Sequence, residues 1–223
     1  MHTRVKICGI TDTADALAAT AAGADLLGFI FYDKSPRYIA PDRVRGITAR
    51  VRAATDHPPL FVGVFVDEDW QQVAATLDAA GLDLAQLHGS EPPLEVGLLA
   101  PRAFKALRPP SRGDTDPMAA IYASVLPPTD PATATRPSFL LDAYHPWQFG
   151  GTGRRTDWQA ARLLAARHPI LLAGGLTPDT VEAAIAEAQP WGVDVSSGVE
   201  ISPGHKDHAL VRAFIENARR AIP

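Results

Sequence analysis

Residues 4–31, RVKICGITDTADALAATAAGADLLGFIF, contain two short apolar runs separated by an alanine-rich segment. The runs RVKICGI (4–10) and LLGFIF (26–31) are typical of strands, and the apolar spacing of TADALAATAAGA is typical of a helix. Strands joined by a helical crossover lie parallel in one sheet. This stretch therefore predicts a strand–helix–strand unit.

The same alternation continues to the end of the chain. Helical patterns include WQQVAATLDAAG, WQAARLLAARH and TVEAAIAEAQ, the last preceded by LTPD, where Thr177 is predicted to cap the helix and Pro178 to lie in its first turn. A short helix is predicted around 117–125, followed by an exposed loop. The predicted strands span 4–10, 26–31, 60–66, 84–89, 102–108, 138–144, 170–175 and 192–198.

Eight such units in 223 residues predict one domain, residues 1–223, folded as a (β/α)8 TIM barrel with parallel strands. A doubly wound open sheet is the alternative. The barrel is favoured because no GxGxxG motif follows the first strand.

Composition narrows the class of protein. A net charge of -4 and a pI near 5.9 argue against a nucleic-acid partner, which would require a basic excess. One cysteine cannot form an internal disulfide, and no apolar stretch has the length of a signal peptide or a membrane span. We expect a cytoplasmic protein with no membrane partner.

The first strand places Lys6 and Cys8 on one face, because side chains two residues apart in a strand point the same way. Cys8 alone is more often a buried structural thiol. Beside a cation, a modest downward shift of the thiol pKa would let it act as a base. Lys6 is the positive neighbour of Cys8, or it lies in an ion pair in the barrel floor.

Polar residues also follow other predicted strands, and in a barrel these ends form the active site. His88 and Asp142 follow the fourth and sixth strands, although His88 also fits a buried structural histidine. Glycine clusters follow strands six to eight, and their turns predict a phosphate site. The clusters are GGTG (150–153), AGG (173–175) and SSG (196–198), and the further polar strand ends are Asp67, Gln86 and Arg108.

Seven segments in order, KICGIT, GFIFYDKSPRYI, VGVFVD, QLHG, LLDAYHPWQFGGTG, LAGGLTPDTV and GVDVSSGVEISPGHKD, resemble the phosphoribosylanthranilate isomerase family of tryptophan biosynthesis. The resemblance covers almost the whole chain. Two positions differ from the usual family pattern, which has a small Gly at Trp147 and an apolar Phe at Thr156.

The resemblance implies an Amadori rearrangement of a phosphorylated aminosugar, with no metal or organic cofactor, by a monomer or homodimer. It implies that Cys8 is the general base, that Asp142 is the general acid and that Arg37 binds the anthranilate carboxylate. Asp194 is expected near the sugar hydroxyls, and His88 is expected to bind the substrate. The phosphate is expected at the glycine-rich loops, with Gly151, Gly153, Gly174, Gly175, Ser196, Ser197 and Gly198.

Four alternatives stay open. The histidine-pathway isomerase performs the same rearrangement on another aminoribosyl phosphate, but generally has Asp at the position of Cys8. A lyase would use Lys6 as a Schiff base, which requires a desolvated amine with a lowered pKa. A non-catalytic phosphate-binding barrel and a metal-dependent epimerase complete the set, although the histidines show no ligand spacing typical of a metal site.

Overall fold

Eight parallel strands close into a barrel in sequence order, with β1 hydrogen-bonded to both β2 and β8. The computed structural model describes residues 3–143 and 156–221. Closure confirms the predicted barrel and excludes the open sheet. The strands are β1 (Arg4–Cys8), β2 (Leu26–Ile30), β3 (Leu60–Phe65), β4 (Leu84–Leu87), β5 (Ala103–Leu107), β6 (Phe139–Leu141), β7 (Ile170–Leu172) and β8 (Gly192–Val195).

The helices form the outer layer, and four of them begin at a capping aspartate. The side chains of Asp12, Asp69, Asp157 and Asp207 each accept hydrogen bonds from backbone N–H groups of the first helical turn. The helices are α1 (Thr13–Ala21), α2 (Pro41–Ala54), α3 (Trp70–Ala80), α4 (Pro93–Leu98), α5 (Thr115–Ala123), α6 (Trp158–Ala165), α7 (Val181–Ala188) and α8 (His208–Arg220).

The predicted start of the seventh helix is wrong. Helix α7 begins at Val181 with Thr180 as its N-cap residue, so Pro178 lies in the turn before it. The carbonyl of Thr177 accepts hydrogen bonds from the N–H groups of Thr180 and Val181. Thr177 and Pro178, which the sequence analysis assigned to the start of the helix, therefore belong to the turn before α7.

The strands end two or more residues earlier than predicted at several of their C-terminal ends, because those residues turn away to line the barrel mouth. Gly9 shows the reason, since it has a φ of +77°. A Cβ atom on Gly9 would lie 2.8 Å from Cδ of Arg37 and 2.9 Å from Oγ of Ser196. The chain leaves β1 at the residue where only glycine fits.

The barrel interior is apolar in its middle and polar toward the C-terminal strand ends. Residues two apart in a strand both point into the barrel. The polar residues near the strand ends therefore form a layer above the apolar residues of the middle. Lys6 is fully buried at this boundary. The apolar interior residues include Leu26, Val62, Leu84, Phe104, Leu140 and Leu171.

A two-stranded antiparallel ribbon follows β8 and is absent from the sequence prediction. It consists of β9 (Glu200–Ser202) and β10 (His205–Lys206), joined through Gly204 at a φ of +84°. Oγ1 of Thr11 donates to the carbonyl of Gly204 at 2.5 Å, which joins the ribbon to the loop after β1. In the parts of the chain that the structure describes, we find no helix long and apolar enough to cross a membrane.

A buried ion pair between Lys105 and Glu91 lies between the barrel and the outer helices. Nζ of Lys105 is 3.0 Å from Oε2 of Glu91 and donates to the carbonyls of Leu87, Gly89 and Ala106. Both side chains are almost completely buried. This pair holds the loop that follows β4 against β5.

We expect Lys105→Met to lower the free energy of unfolding by about 3–5 kcal/mol, because the carboxylate of Glu91 would stay buried without its cation. The matched control is Arg167→Met, which removes an exposed pair with Asp116 and should cost at most about 1 kcal/mol. Urea unfolding of both variants makes the comparison. Equal losses would contradict the importance of the buried pair.

Candidate active site

One cavity at the C-terminal ends of the strands is lined by both Cys8 and Asp142. The two residues come from β1 and from the end of β6, on different sides of the barrel mouth. Gly151 and Gly153 lie outside the described residues. The other predicted site residues that line this cavity are Arg37, His88, Gly174, Gly175, Asp194, Ser196, Ser197 and Gly198.

Cys8 lies above Lys6 on the inner face of β1, and Gly28 on β2 provides the space for both side chains. A Cβ atom on Gly28 would lie 2.8 Å from Sγ of Cys8 and 3.0 Å from Nζ of Lys6. Burial raises the pKa of the Cys8 thiol, and the ammonium groups of Lys6 and Lys206 lower it only in part. The direction is therefore opposite to the downward shift of the thiol pKa that the sequence analysis considered.

Lys6 and Asp194 form an ion pair across the seam of the barrel. Their strands pair at this position, and Nζ of Lys6 donates to Oδ1 of Asp194 at 2.6 Å. Burial by itself lowers the pKa of Lys6, but the carboxylate of Asp194 and the neighbouring Cys8 outweigh it, so the pKa is raised. Lys6 is thus held as an ammonium ion, which fits the ion-pair interpretation of the sequence.

Asp142 and His88 face each other within the cavity. Oδ1 of Asp142 accepts a hydrogen bond from the N–H of Ala143 at 2.8 Å, and Oδ2 lies 3.5 Å from Nε2 of His88. Nδ1 of His88 lies 2.7 Å from the amide nitrogen of Gln86. The carboxyl group therefore has one oxygen on the backbone and the other toward an imidazole.

Arg37 is held by a carboxylate that the sequence analysis did not single out. Nε and Nη2 of Arg37 both donate to Glu200, and Nζ of Lys206 donates to the same carboxylate at 2.8 Å. Burial by itself raises the pKa of Glu200, but Arg37 and Lys206 outweigh it, so the pKa is lowered. Glu200 is a buried anion shared by two cations.

The glycines in the turns after β7 and β8 lie at positions where a side chain would not fit. Gly174 and Gly175 have φ of +87° and +66°, and a Cβ atom on Gly198 would lie 2.0 Å from the carbonyl oxygen of Leu176. Oγ of Ser196 is buried and has no hydrogen-bond partner within residues 3–143 and 156–221. These features suit a rim where backbone approaches an anionic ligand closely.

Thr156, which differs from the usual family residue, packs against this rim. Its hydroxyl donates to the carbonyl of Ala173 at 2.8 Å, and a Cβ atom on Gly174 would lie 2.2 Å from Oγ1 of Thr156. The buried hydroxyl of Thr156 therefore has a backbone carbonyl as its hydrogen-bond partner.

Sequence reasoning missed Glu200 and Lys206, although both belong to the quoted segment GVDVSSGVEISPGHKD. The signal that would have found them is a Pro-Gly turn between two short extended runs, which predicts a hairpin. Asp67 and Arg108 are not among the residues that line the cavity. Oδ1 of Asp67 instead accepts from the N–H of Ser90, at 2.5 Å, in the loop after β4. Among the residues described, no three His, Cys, Asp or Glu side chains group together as metal ligands would.

Because Cys8 is the only cysteine, its alkylation by iodoacetamide can be followed by mass spectrometry. A raised thiol pKa means little thiolate at neutral pH, so we expect the alkylation rate to rise only in the alkaline range. In Lys6→Met, the loss of the ammonium should move the midpoint to still higher pH, whereas the exposed Lys34→Met should leave it unchanged.

The internal reference for this experiment is the same protein unfolded in urea. Circular dichroism must first show that each variant is folded, because Lys6→Met leaves Asp194 without its cation. A native-state midpoint at or below that of the unfolded chain would contradict the effect of burial.

The comparisons with known proteins agree with this geometry. A family model described as N-(5'phosphoribosyl)anthranilate (PRA) isomerase matches residues 5–217. The N-(5'-phosphoribosyl)anthranilate isomerase of a Geobacter species is 47% identical over 220 residues, which are 98% of this chain and 98% of that protein. That of Trichlorobacter lovleyi is 44% identical over 222 residues, 98% of this chain and 99% of the relative.

Among solved structures, the phosphoribosyl anthranilate isomerase of Thermotoga maritima superimposes with a TM-score of 0.83 at 36% identity, covering 97% of this chain and 98% of that chain. The matches extend through all eight strands and include the strand ends that form the cavity. The chain therefore belongs to the N-(5'-phosphoribosyl)anthranilate isomerase family.

Proposed function

We propose that this protein converts N-(5'-phosphoribosyl)anthranilate to 1-(2-carboxyphenylamino)-1-deoxyribulose 5-phosphate, with Cys8 and Asp142 as the base and the acid. The observation that supports it is the convergence of these two side chains on one cavity. A structural relative was crystallised in complex with reduced 1-(o-carboxyphenylamino)-1-deoxyribulose 5-phosphate, and it matches this chain with a TM-score of 0.80 at 35% identity. The activity fits a role in tryptophan biosynthesis.

The reaction begins at the ring oxygen of the sugar. Asp142 donates its proton to that oxygen, the bond from the oxygen to C1 breaks, and the nitrogen lone pair forms a protonated imine with C1. The thiolate of Cys8 then removes the proton at C2, and the C–H electron pair forms the C1–C2 double bond and neutralises the imine. The resulting enol gains a proton at C1 and loses one from the C2 hydroxyl.

No electrons are gained or lost overall, so two side chains that move protons are sufficient for this chemistry. Proton exchange with solvent returns Asp142 to its acid form and removes the proton that Cys8 has taken from C2. The prediction that the enzyme uses no metal or organic cofactor is tested by assaying activity after exhaustive chelation and after unfolding, dialysis and refolding, which releases a non-covalently bound organic cofactor. Retained activity is the expected result.

The positive charge of the imine offsets the effect of burial on Cys8. In the ligand-free site, burial raises the thiol pKa, whereas a cation formed beside Sγ favours the thiolate. The same charge makes the proton at C2 more acidic. The base therefore becomes effective at the stage of the reaction where it is needed.

Arg37 is proposed to bind the anthranilate carboxylate. Glu200 contacts Nε and Nη2 of Arg37, so Nη1 is the edge that we expect to reach the ligand. Glu200 fixes the plane of the guanidinium, and Lys206 supplies a second positive charge close by. A rigid, charged guanidinium is well suited to a planar carboxylate.

The phosphate is proposed to lie at the turns after β7 and β8, against Gly174, Gly175, Ser196, Ser197 and Gly198. Gly151 and Gly153 are proposed to approach it from the loop after β6. Asp194 is proposed to contact the sugar hydroxyls, and His88 is proposed to lie against the substrate beside Asp142.

Two further expectations stay predictions. We propose that the enzyme works as a monomer or homodimer, and a Thermotoga maritima relative is described as a dimeric isomerase. We also propose that it acts in the cytoplasm on its small-molecule substrate. Light scattering of the purified protein measures the first, and fractionation of the source cells the second.

The lyase alternative is disfavoured by the state of Lys6. A Schiff base requires a neutral amine, but the amine of Lys6 is fully buried, paired with Asp194 and has a raised pKa. Borohydride reduction in the presence of substrate is the direct test. A covalent adduct on Lys6 would replace the isomerase mechanism with the lyase one.

We expect Cys8→Ala and Asp142→Asn each to lower kcat by at least about 100-fold, the scale of a lost acid or base. The assay mixes protein with freshly generated phosphoribosylanthranilate and follows the loss of its anthranilate fluorescence. Asp56→Asn, an exposed carboxylate remote from the cavity, is the control and should keep full activity.

Thermal unfolding must show that both variants keep the fold. A variant that is folded and turns over substrate at the wild-type rate would remove that residue from the proposed mechanism. Wild-type protein that leaves the substrate fluorescence unchanged would overturn the proposed activity itself.

A further inference from the structure

Gln86 contacts His88, and His88 faces the candidate acid, Asp142. Gln86 is the inward-facing residue of β4 two positions before His88, so the two side chains share one face of the strand. Gln86 is 2% exposed and His88 is 6% exposed. The contact between them is therefore shielded from water.

The atoms in contact decide where the imidazole carries its proton. The amide nitrogen of Gln86 lies 2.7 Å from Nδ1 of His88. With the amide of Gln86 oriented so that its nitrogen faces the ring, Nδ1 accepts the hydrogen bond and carries no hydrogen. A neutral His88 then holds its one ring proton on Nε2.

Nε2 is the ring atom that faces Asp142, 3.5 Å from Oδ2. Nε2 is buried and has no hydrogen-bond partner among the described residues. Contacts of catalytic groups are often long before the substrate binds and shorten in the complex. The single N–H of the ring is thus directed at the group that must become an anion.

We propose that Gln86 is a positioning residue for the isomerisation, because its amide keeps the proton of His88 on Nε2, where it stabilises the Asp142 carboxylate formed when the acid donates its proton. This inference rests on the proposed function. The proton that reaches the ring oxygen comes from Asp142, and the His88 proton stays on Nε2 as a hydrogen-bond donor. No further proton, electron or co-reactant is involved.

The backbone around His88 is held in a way that supports this role. The N–H of His88 donates to the carbonyl of Phe65 at 2.8 Å. Nζ of Lys105 donates to the carbonyls of Leu87 and Gly89, one on each side of His88. A ring attached to so constrained a backbone keeps its orientation toward Asp142.

Two variants of Gln86 separate its effect on the ring proton of His88 from its contribution to packing. Gln86→Glu keeps the shape but offers only acceptors, so we expect the ring proton to be drawn to Nδ1. Gln86→Met keeps a similar volume but has no donor, so we expect a mixture of the two tautomers. Thr48→Val is the matched control, since it removes another buried hydrogen bond, from Thr48 to the carbonyl of Ala80, in the outer layer.

The first readout is the ¹⁵N NMR spectrum of the histidine rings, in which the shifts of Nδ1 and Nε2 report the tautomer. The His88 signals are identified by their loss in His88→Asn. We expect a protonated Nε2 and a bare Nδ1 in the wild-type protein and in Thr48→Val. A wild-type ring with its proton on Nδ1 would overturn the inference.

The second readout is the division of the effect between kcat and KM. We expect both Gln86 variants to lower kcat by roughly 10- to 100-fold with KM little changed, the scale of one hydrogen bond to a charged group. Folded Gln86 variants with wild-type kcat would overturn the inference. Failure of the proposed function is distinguishable, because wild-type protein would then show no turnover while the tautomer could still be measured.

Discussion

The ion pair between Lys6 and Asp194 is the interaction on which the rest of the site depends. It joins the first and last strands at the seam where the barrel closes, and it lies directly below Cys8. Removing two charges from water costs several kcal/mol for each ion, which only good geometry and further contacts can offset. The pairing register supplies that geometry, because it places the two residues opposite each other on neighbouring strands.

The pair also sets the electrostatics of the barrel mouth. Three buried or nearly buried cations, Lys6, Arg37 and Lys206, face two carboxylates, Asp194 and Glu200, within this cluster. One positive charge is therefore left for the thiolate of Cys8 or for an anionic group of the ligand. In the proposed mechanism, the positive charge of the imine is what favours the thiolate against the effect of burial.

Across the cavity, the proposed acid has a backbone N–H and an imidazole as its partners among the described residues. Asp142 contacts the N–H of Ala143 and faces Nε2 of His88, whose other nitrogen is engaged by Gln86. The proposed base and the proposed acid are thus held in environments of different kinds. Such a difference is what allows two groups in one cavity to move protons in opposite directions.

Much of this arrangement is visible in the sequence because it depends on local patterns. The alternation of strands and helices predicted the barrel, and two-residue spacing predicted that Lys6 and Cys8 share a face. Polar residues after apolar runs predicted the side chains at the mouth, including Asp142. These inferences hold because strand periodicity and the position of strand ends are properties of short segments.

The sequence by itself therefore determined the fold, the family and many of the polar and glycine residues that line the cavity. Only the tertiary structure decided which groups are paired: Lys6 with Asp194, Arg37 with Glu200 and His88 with Gln86. Most of these partners are far apart in the chain, and their contact depends on strand register, on the β9–β10 ribbon and on burial. The tertiary structure also decided the direction of the pKa shift at Cys8. That shift is a balance between desolvation and neighbouring charges, which exists only after folding.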